Sequence, residues 1–385
     1  MSQVDHLPAT RRRSLRWTRL IASALLLAAA TLWAAPSANA GAPPPIVVND
    51  FGDAKQASDG KCTLREAIIA ANSDDPSGSK SGECPGGDDA DTILLPPGVY
   101  TLSRSDSGNE NASTTGDLDI QETVTIRSTG PGLVVIDAGA INNRVFHVLG
   151  GTAKLSGVTL RGGHAAQGGG VLVESGAALH LENSTLTGNS ADGAGGAIYN
   201  AGQVKLINVT IAGNQAASAR ALHNTGQAEV GNTLIAANPG PVAPDCAGSL
   251  TPLGPNLVED GDGCALGDAA LVGPPGFTAQ QAGGQTVFYR LLAGSAAFNA
   301  GDNAICPATD QLGVARPQFT RCDIGAHELD RLPPAATSLA VTTVENTAVT
   351  IELSGSGSEG ETLAFAIAGP PGQGTLEALT QTGSN

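Results

Sequence analysis

Four short stretches of the chain are variants of one another, at a spacing too close for separate domains. Leu155-Ser-Gly-Val158-Thr-Leu160 is echoed by Leu181-Glu-Asn-Ser184-Thr-Leu186, Leu206-Ile-Asn-Val209-Thr-Ile211 and Val230-Gly-Asn-Thr233-Leu-Ile235, so Leu160, Leu186, Ile211 and Ile235 stand 26, 25 and 24 residues apart. Asn189, Asn214 and Asn238 recur in step, and Gly169-Gly170 is matched by Gly195-Gly196. Apolar residues alternate with period two, and no unit carries a sustained i, i+3, i+4 pattern, which argues against leucine-rich and helical repeats. A unit of about 25 residues made of short strands and Gly/Asn corners is one coil of a parallel β-helix. Equivalent residues of successive coils then sit above one another at the strand spacing of ~4.8 Å. Stacked Val, Leu and Ile fill the narrow interior, and stacked asparagines satisfy corner amides. The 51 glycines supply corners of positive φ, and the lack of a three-residue period excludes collagen.

A solenoid must close its ends, because an open coil exposes apolar side chains and strand edges. Cys62-Thr-Leu-Arg-Glu-Ala-Ile-Ile-Ala-Ala-Asn72 supplies a cover at one end. Thr63 and Glu66 have capping-box spacing, Leu64, Ala67, Ile68 and Ala71 share one helical face, and Asn72 is a C-terminal stop. Asp91-Thr-Ile-Leu-Leu-Pro-Pro-Gly-Val-Tyr100 is expected to form the first strand and turn. In Asp117-Leu-Asp119-Ile120, alternation sends Leu118 and Ile120 inward and both aspartates outward.

Arg11, Arg12, Arg13, Arg16 and Arg19 precede an apolar run from Leu20 to Ala35 and then Ala38-Asn-Ala40. This is the layout of a signal peptide with an A-x-A cleavage site, and the arginine pairs leave a twin-arginine route open. Sixteen apolar positions broken by Ser23 and Thr31 are short for a membrane span of ~20 residues. No transmembrane segment is expected after cleavage. All six cysteines (Cys62, Cys84, Cys246, Cys264, Cys306 and Cys322) follow this segment. Several pairings are open, of which bonding between sequence neighbours is the simplest; the absence of CxxC pairs argues against zinc in favour of disulfides. Setting aside residues 1–40 leaves 15 basic against 35 acidic residues. Such a polyanion disfavours nucleic acid and anionic membranes as partners.

The segment from Val47 through CTLREAIIAAN, with DTILLPPGVYTL and GDLDI behind it, resembles the N-terminal CSLREA-type domain of bacterial secreted β-helix proteins. That resemblance implies a right-handed parallel β-helix of pectin-lyase-like shape. GGAIYN and TGN at 187–200 resemble the repeats of polymorphic outer-membrane proteins. Residues 283–328, with Asp310-Gln-Leu-Gly313, Arg316-Pro317 and Cys322-Asp-Ile-Gly-Ala-His-Glu328, resemble the choice-of-anchor segment of the same secreted proteins. His327 stands there where an aromatic residue is more usual. After Pro334 the Thr/Val/Ser alternation resembles a bacterial cadherin- or immunoglobulin-like domain, but 51 residues are about half of the ~100 such a sandwich needs. A piece of a longer repeat protein is therefore expected.

The fold expected is all-β: a right-handed parallel β-helix with a short N-terminal capping helix, followed by part of a β-sandwich. Its parts are a signal peptide at 1–40, the CSLREA-type cap and first coils at 41–130, repeats at 131–270, the choice-of-anchor-like segment at 271–330 and the partial sandwich at 335–385.

Catalysis finds little support in the residue pattern. Glycoside hydrolysis needs two carboxylates ~5–9 Å apart, whereas Glu174, Glu182, Asp192 and Glu229 do not align into one stacked site. Residues 41–385 hold no Trp and three Tyr, a poor supply for a sugar-binding platform. A lyase would want carboxylate-bound Ca²⁺ beside an Arg or Lys base. Arg161 and Arg220 show no carboxylate cluster in register and are expected at the surface. His147, His164, His180 and His223 fall at different coil positions without metal spacing, and no triad signature is present. Asp117 and Asp119 are the best-paired carboxylates and the place for weak Ca²⁺ binding; no other cofactor is expected. Asp88-Asp-Ala-Asp91 and Asp260-Gly-Asp262 have turn character. These features lead to a monomeric, secreted or cell-surface structural or adhesive module without catalytic activity, which meets a glycan or protein through its long flank. The alternative is an extracellular polysaccharide lyase or glycoside hydrolase of pectin-lyase-like fold.

Overall fold

The computed structural model describes residues 44–377 except 57, 107–109, 241–242, 260–262, 293, 331–334, 357–362, 368, 370 and 372–373. The expected signal peptide and the Asp260/Asp262 pair lie outside the described residues.

The repeats form a parallel β-solenoid. One eight-stranded sheet runs from Ile46–Val47 through Ala90–Leu95, Thr123–Ser128, Thr152–Ser156, Ala178–Glu182, Gln203–Ile207 and Gln227–Gly231 to Thr251–Pro252. A second of eight strands runs from Gly98–Thr101 through Val134–Asp137, Val158–Arg161, Thr185–Thr187, Thr210–Ala212, Leu234–Ala236 and Asn256–Val258 to Ala270–Val272. The third has six strands, from Leu118–Ile120 through Phe146–Val148, Val171–Val173, Ile198–Asn200 and Leu222–Asn224 to Cys246–Ala247. A small fourth sheet joins His164–Gln167, Ser190–Ala194 and Gln215–Ser218.

The register follows the repeat. Leu160 pairs with Leu186, Leu186 with Ile211 and Ile211 with Ile235. All four are buried in one continuous apolar core. Burying each such side chain is worth about 1.5–3 kcal/mol. Asn183, Asn208 and Asn232 turn the corner before this row at φ between 45° and 52°, the left-handed region that asparagine tolerates better than other side chains.

Asn189, Asn214 and Asn238 form the expected ladder. The Asn189 side chain donates to Leu160 O at 3.0 Å and accepts from Gly163 N at 3.0 Å. Asn214 repeats this one coil on, donating to Leu186 O at 3.0 Å and accepting from Asn189 N at 3.1 Å. Asn238 accepts from Asn214 N at 2.9 Å. A second ladder links Asn200 to Asn224 at 2.7 Å.

The first strand is Ile46–Val47, paired with Ala90–Leu95, one strand earlier than the sequence pattern places it. The capping helix spans Leu64–Ser73 with both capping-box bonds formed, and it ends at Asp74 (φ 58°) instead of stopping at Asn72. Asn72 instead ties the helix to the coil beneath it, its amide donating to Asp119 O at 2.7 Å and its oxygen accepting from Gln121 N at 3.0 Å. All three neighbouring-cysteine bridges exist: Cys62–Cys84, Cys246–Cys264 and Cys306–Cys322.

Residues 277–329 lie across the second sheet. They contain the antiparallel hairpin Phe277–Ala282/Gln285–Leu291 and otherwise irregular chain. An outward threonine row receives them. Thr159 Oγ1 donates to Val287 O at 2.6 Å, Thr185 Oγ1 to Gln311 Oε1 at 2.6 Å, and Thr210 Oγ1 accepts from Ala326 N at 3.0 Å. After Asp330 the described residues hold one short antiparallel pair, Ala335–Ala336 with Gly355–Ser356, and Leu339, Val344 and Leu376 are exposed.

Candidate functional site

The capping helix positions the acidic turn before Leu118–Ile120. Arg65, wholly buried, pairs with Asp53 at 2.6 Å and donates to Gly116 O at 2.8 Å and Ser113 O at 3.0 Å. Removing this guanidinium would leave Asp53 and the carbonyls it serves without that partner, so Arg65 fixes the loop that carries Asp117. The sequence pattern makes the helix a cover and gives Arg65 no role; an Arg inside an otherwise apolar amphipathic helix is the available signal.

Leu118 and Ile120 point into the core as expected, and Asp117 and Asp119 point away from it. Away from the core is not into solvent here. The aspartates are 3% and 0% exposed, because the chain before them folds back over them. Asp119 Oδ2 accepts from Ser113 N at 2.8 Å, and Ser113 Oγ donates to Asp119 O at 3.1 Å. The other carboxylate oxygen, Asp119 Oδ1, is buried and accepts no hydrogen bond. It faces His147 Nδ1 at 3.5 Å, while His147 Nε2 meets Glu174 Oε1 at 3.1 Å. Asp117 is held by Arg144 Nη1 at 2.9 Å and Asn143 Nδ2 at 3.3 Å.

Asp117, Asn143, Arg144 and His147 line a surface depression of about 280 Å³ that Asp106, Glu110 and Glu174 also border, with Asp119 buried behind them. Burial pushes the Asp117 carboxyl above its usual range, against the pull of Arg144. Burial would lower His147, but its contacts with Asp119 and Glu174 outweigh it and the net shift is upward.

His147 and His223 do not occupy different coil positions. Both stand in one outward row of the third sheet, which runs Asp119, His147, Leu172, Tyr199, His223 and Ala247. The spacings along this row are 28, 25, 27, 24 and 24 residues, so adjacent coils differ in length by up to three and the shared row is hidden in simple spacing. Arg161 and Arg220 do not lie at the surface either. Arg161 stands in register with Asp137 and pairs with it at 2.8 Å, and Arg220 pairs with Asp245 at 3.2 Å. All four are buried, in ion pairs formed between coils.

Glu174, Glu182, Asp192 and Glu229 stay apart: Glu174 joins His147, Asp192 lies 3.6 Å from His164, and Glu229 approaches Lys205 at 3.9 Å. His164 also meets Ser190 Oγ through Nδ1 at 2.8 Å, which brings Ser190, His164 and Asp192 together on the fourth sheet. The side chain of Asp192 is 76% exposed and nothing orients it as a buried triad carboxylate would be. His180 lies between Lys154 and Lys205 in the first sheet. Asp91 accepts from Asp88 N at 3.0 Å, a turn contact as its sequence suggests.

No protein-family model, no curated protein and no solved structure matches the chain. Its class is that of the parallel β-solenoids, established by register alone. Among the described residues, no helix is long and apolar enough to cross a membrane.

Proposed function

We propose that this chain is a secreted or cell-surface β-helix protein with a structural or adhesive role and no turnover, of the kind its CSLREA-type and choice-of-anchor-like motifs resemble. The supporting observation is the unequal treatment of the flanks. Residues 277–329 cover the second sheet, whereas the first and third sheets keep in-register outward rows: Lys154, His180, Lys205 and Glu229 on one, Leu172, Tyr199 and His223 on the other. The Tyr199 and His223 rings stack at 4.8 Å. A stiff stack with such rows offers contact area to a large partner without a deep pocket. Disulfides in all three pairs suit an oxidising compartment. Protease treatment of intact producing cells is expected to remove the protein; full protection from protease in intact cells, with release only on lysis, would contradict surface display.

One observation favours the enzymatic alternative: Asp117, Asp119, Arg144 and His147 converge beside one depression. Incubation with polygalacturonate, pectin and other acidic glycans, with and without Ca²⁺, separates the two readings. We expect no unsaturated or reducing ends above a buffer control. Release that disappears in Asp119→Ala would establish the enzyme instead.

A further inference from the structure

We propose that Asp117, Asp119 and His147 bind a divalent transition metal of the Zn²⁺ type, with Glu174 orienting the histidine. One ligand atom from each of the three lies within 4.8 Å of the others, and all three residues are buried. The second sign is Asp119 Oδ1, a fully buried carboxylate oxygen that accepts no hydrogen bond and is approached by His147 Nδ1 at 3.5 Å, beyond hydrogen-bond range. Their separation of 3.5 Å matches the edge of a tetrahedron with metal–ligand bonds of ~2.0–2.2 Å, which is about 3.3–3.6 Å.

His147 is already oriented to serve as a ligand. Its Nε2 lies 3.1 Å from Glu174 Oε1, so an Nε2–H donating to that carboxylate leaves Nδ1 as the free lone pair. Charge agrees as well: Asp117, Asp119 and Glu174 carry three negative charges, Arg144 returns one positive charge through Asp117 Oδ2, and a dication neutralises the remainder. The nitrogen donor selects the metal class. Ca²⁺ takes hard oxygen ligands, whereas imidazole with carboxylates suits Zn²⁺. The place assigned to weak Ca²⁺ from the aspartates alone thus becomes, with His147 added, a mixed nitrogen–oxygen site. A fourth position would open toward the depression. This inference is independent of the structural or adhesive reading.

The test is titration of the full, disulfide-intact chain at neutral pH with ZnCl₂ by calorimetry and with CoCl₂ by visible absorption. We expect one saturable metal per chain and the absorption of tetrahedral Co²⁺. Asp119→Asn keeps an acceptor for Ser113 N and His147→Gln keeps a polar side chain; each should abolish binding while circular dichroism retains the β-helix signal. Glu174→Gln should weaken binding about 10–100-fold. The proposal is overturned if no Zn²⁺ is taken up, if Ca²⁺ binds and Zn²⁺ does not, or if His147→Gln binds Zn²⁺ as tightly as the parent. Should Asp119→Asn fail to fold, His147→Gln and Glu174→Gln decide the matter.

Discussion

The coils between residues 152 and 258 and the segment between 277 and 329 solve the problem of buried amides in opposite ways. In the coils, strands of adjacent turns satisfy each other, and asparagine ladders serve the corners where pairing stops. Among the described residues of the segment, one hairpin and an isolated Thr309–Ala315 bridge are the regular pairing, and carboxylates take the place of strand partners. Asp323 accepts from Asn299 N at 2.6 Å and Leu329 N at 2.8 Å. Glu328 accepts from Asp323 N at 2.8 Å and Gln318 N at 2.9 Å, and Asp310 accepts from Glu328 N at 2.9 Å. Arg316 ties them together, reaching Glu328 at 3.1 Å. A repeat can spread its stability over many equivalent bonds; an irregular latch concentrates it in a few charged groups.

The sharpest way to break the coils is a charge in their core. Ile211→Asp is expected to cost on the order of 5 kcal/mol or more, since the carboxylate would be buried without a partner, and to unfold coils and segment together in a denaturant melt. The segment should fail differently. Arg316→Met leaves Glu328, Asp323 and Asp310 without their cation, at a cost of about 3–5 kcal/mol. Limited proteolysis should then cut within 277–329 while the β signal of the coils persists. Loss of the whole β signal in Arg316→Met would erase the distinction.

A pH experiment addresses the segment alone. Burial, with Arg290 and Arg316 nearby, lowers the His327 pKa to about 3. The unfolded chain takes up that proton near pH 6.5 and the folded chain does not, so stability falls as pH drops below about 6.5. Asp323 acts in the opposite sense: burial and Glu328 raise its pKa to about 7, so its folded form holds a proton that the unfolded chain releases, and its contribution is lost as pH rises from about 4 to 7. His327→Phe removes only the first effect. It forfeits a bond from Leu291 N at every pH, but its stability relative to the parent should rise by about 2 kcal/mol between pH 7 and pH 5. A pH-independent difference would show that His327 does protonate in the folded chain. A comparable effect is expected in the coils: Asn214→Ala, in mid-ladder, should cost about 1–3 kcal/mol and lower the melting of the coils as a unit.

What could be read in advance follows from the same contrast. Leu160, Leu186, Ile211 and Ile235 announce their stacking because repetition writes one structural decision several times. Thr63 and Glu66 are legible because a capping box is local. The threonine row of Thr159, Thr185 and Thr210 stands inside the same repeat motifs, yet nothing local says that an outward threonine awaits residues more than a hundred positions away. The Asp117, Asp119 and His147 cluster is half visible. Alternation gives the direction of the aspartates, but their burial depends on Ser113 folding over them and on Arg65 holding that loop, and His147 arrives from the next coil. Arg161 and Asp137 escape for a related reason: they are in register across coils, but their own row, Thr101, Asp137, Arg161 and Thr187, changes residue type at every coil.

Native-state hydrogen exchange followed residue by residue tests most directly whether the coils are a self-supporting stack and residues 277–329 a latch laid upon it. We expect amides of the strands from Val158–Arg161 to Leu234–Ala236 to exchange last and only through global unfolding. Amides of 277–329 should exchange earlier through their own opening, and faster still once Cys306–Cys322 is reduced, with the coils unaffected. Exchange of both regions with a single opening energy, or a segment that outlasts the coils, would contradict that division.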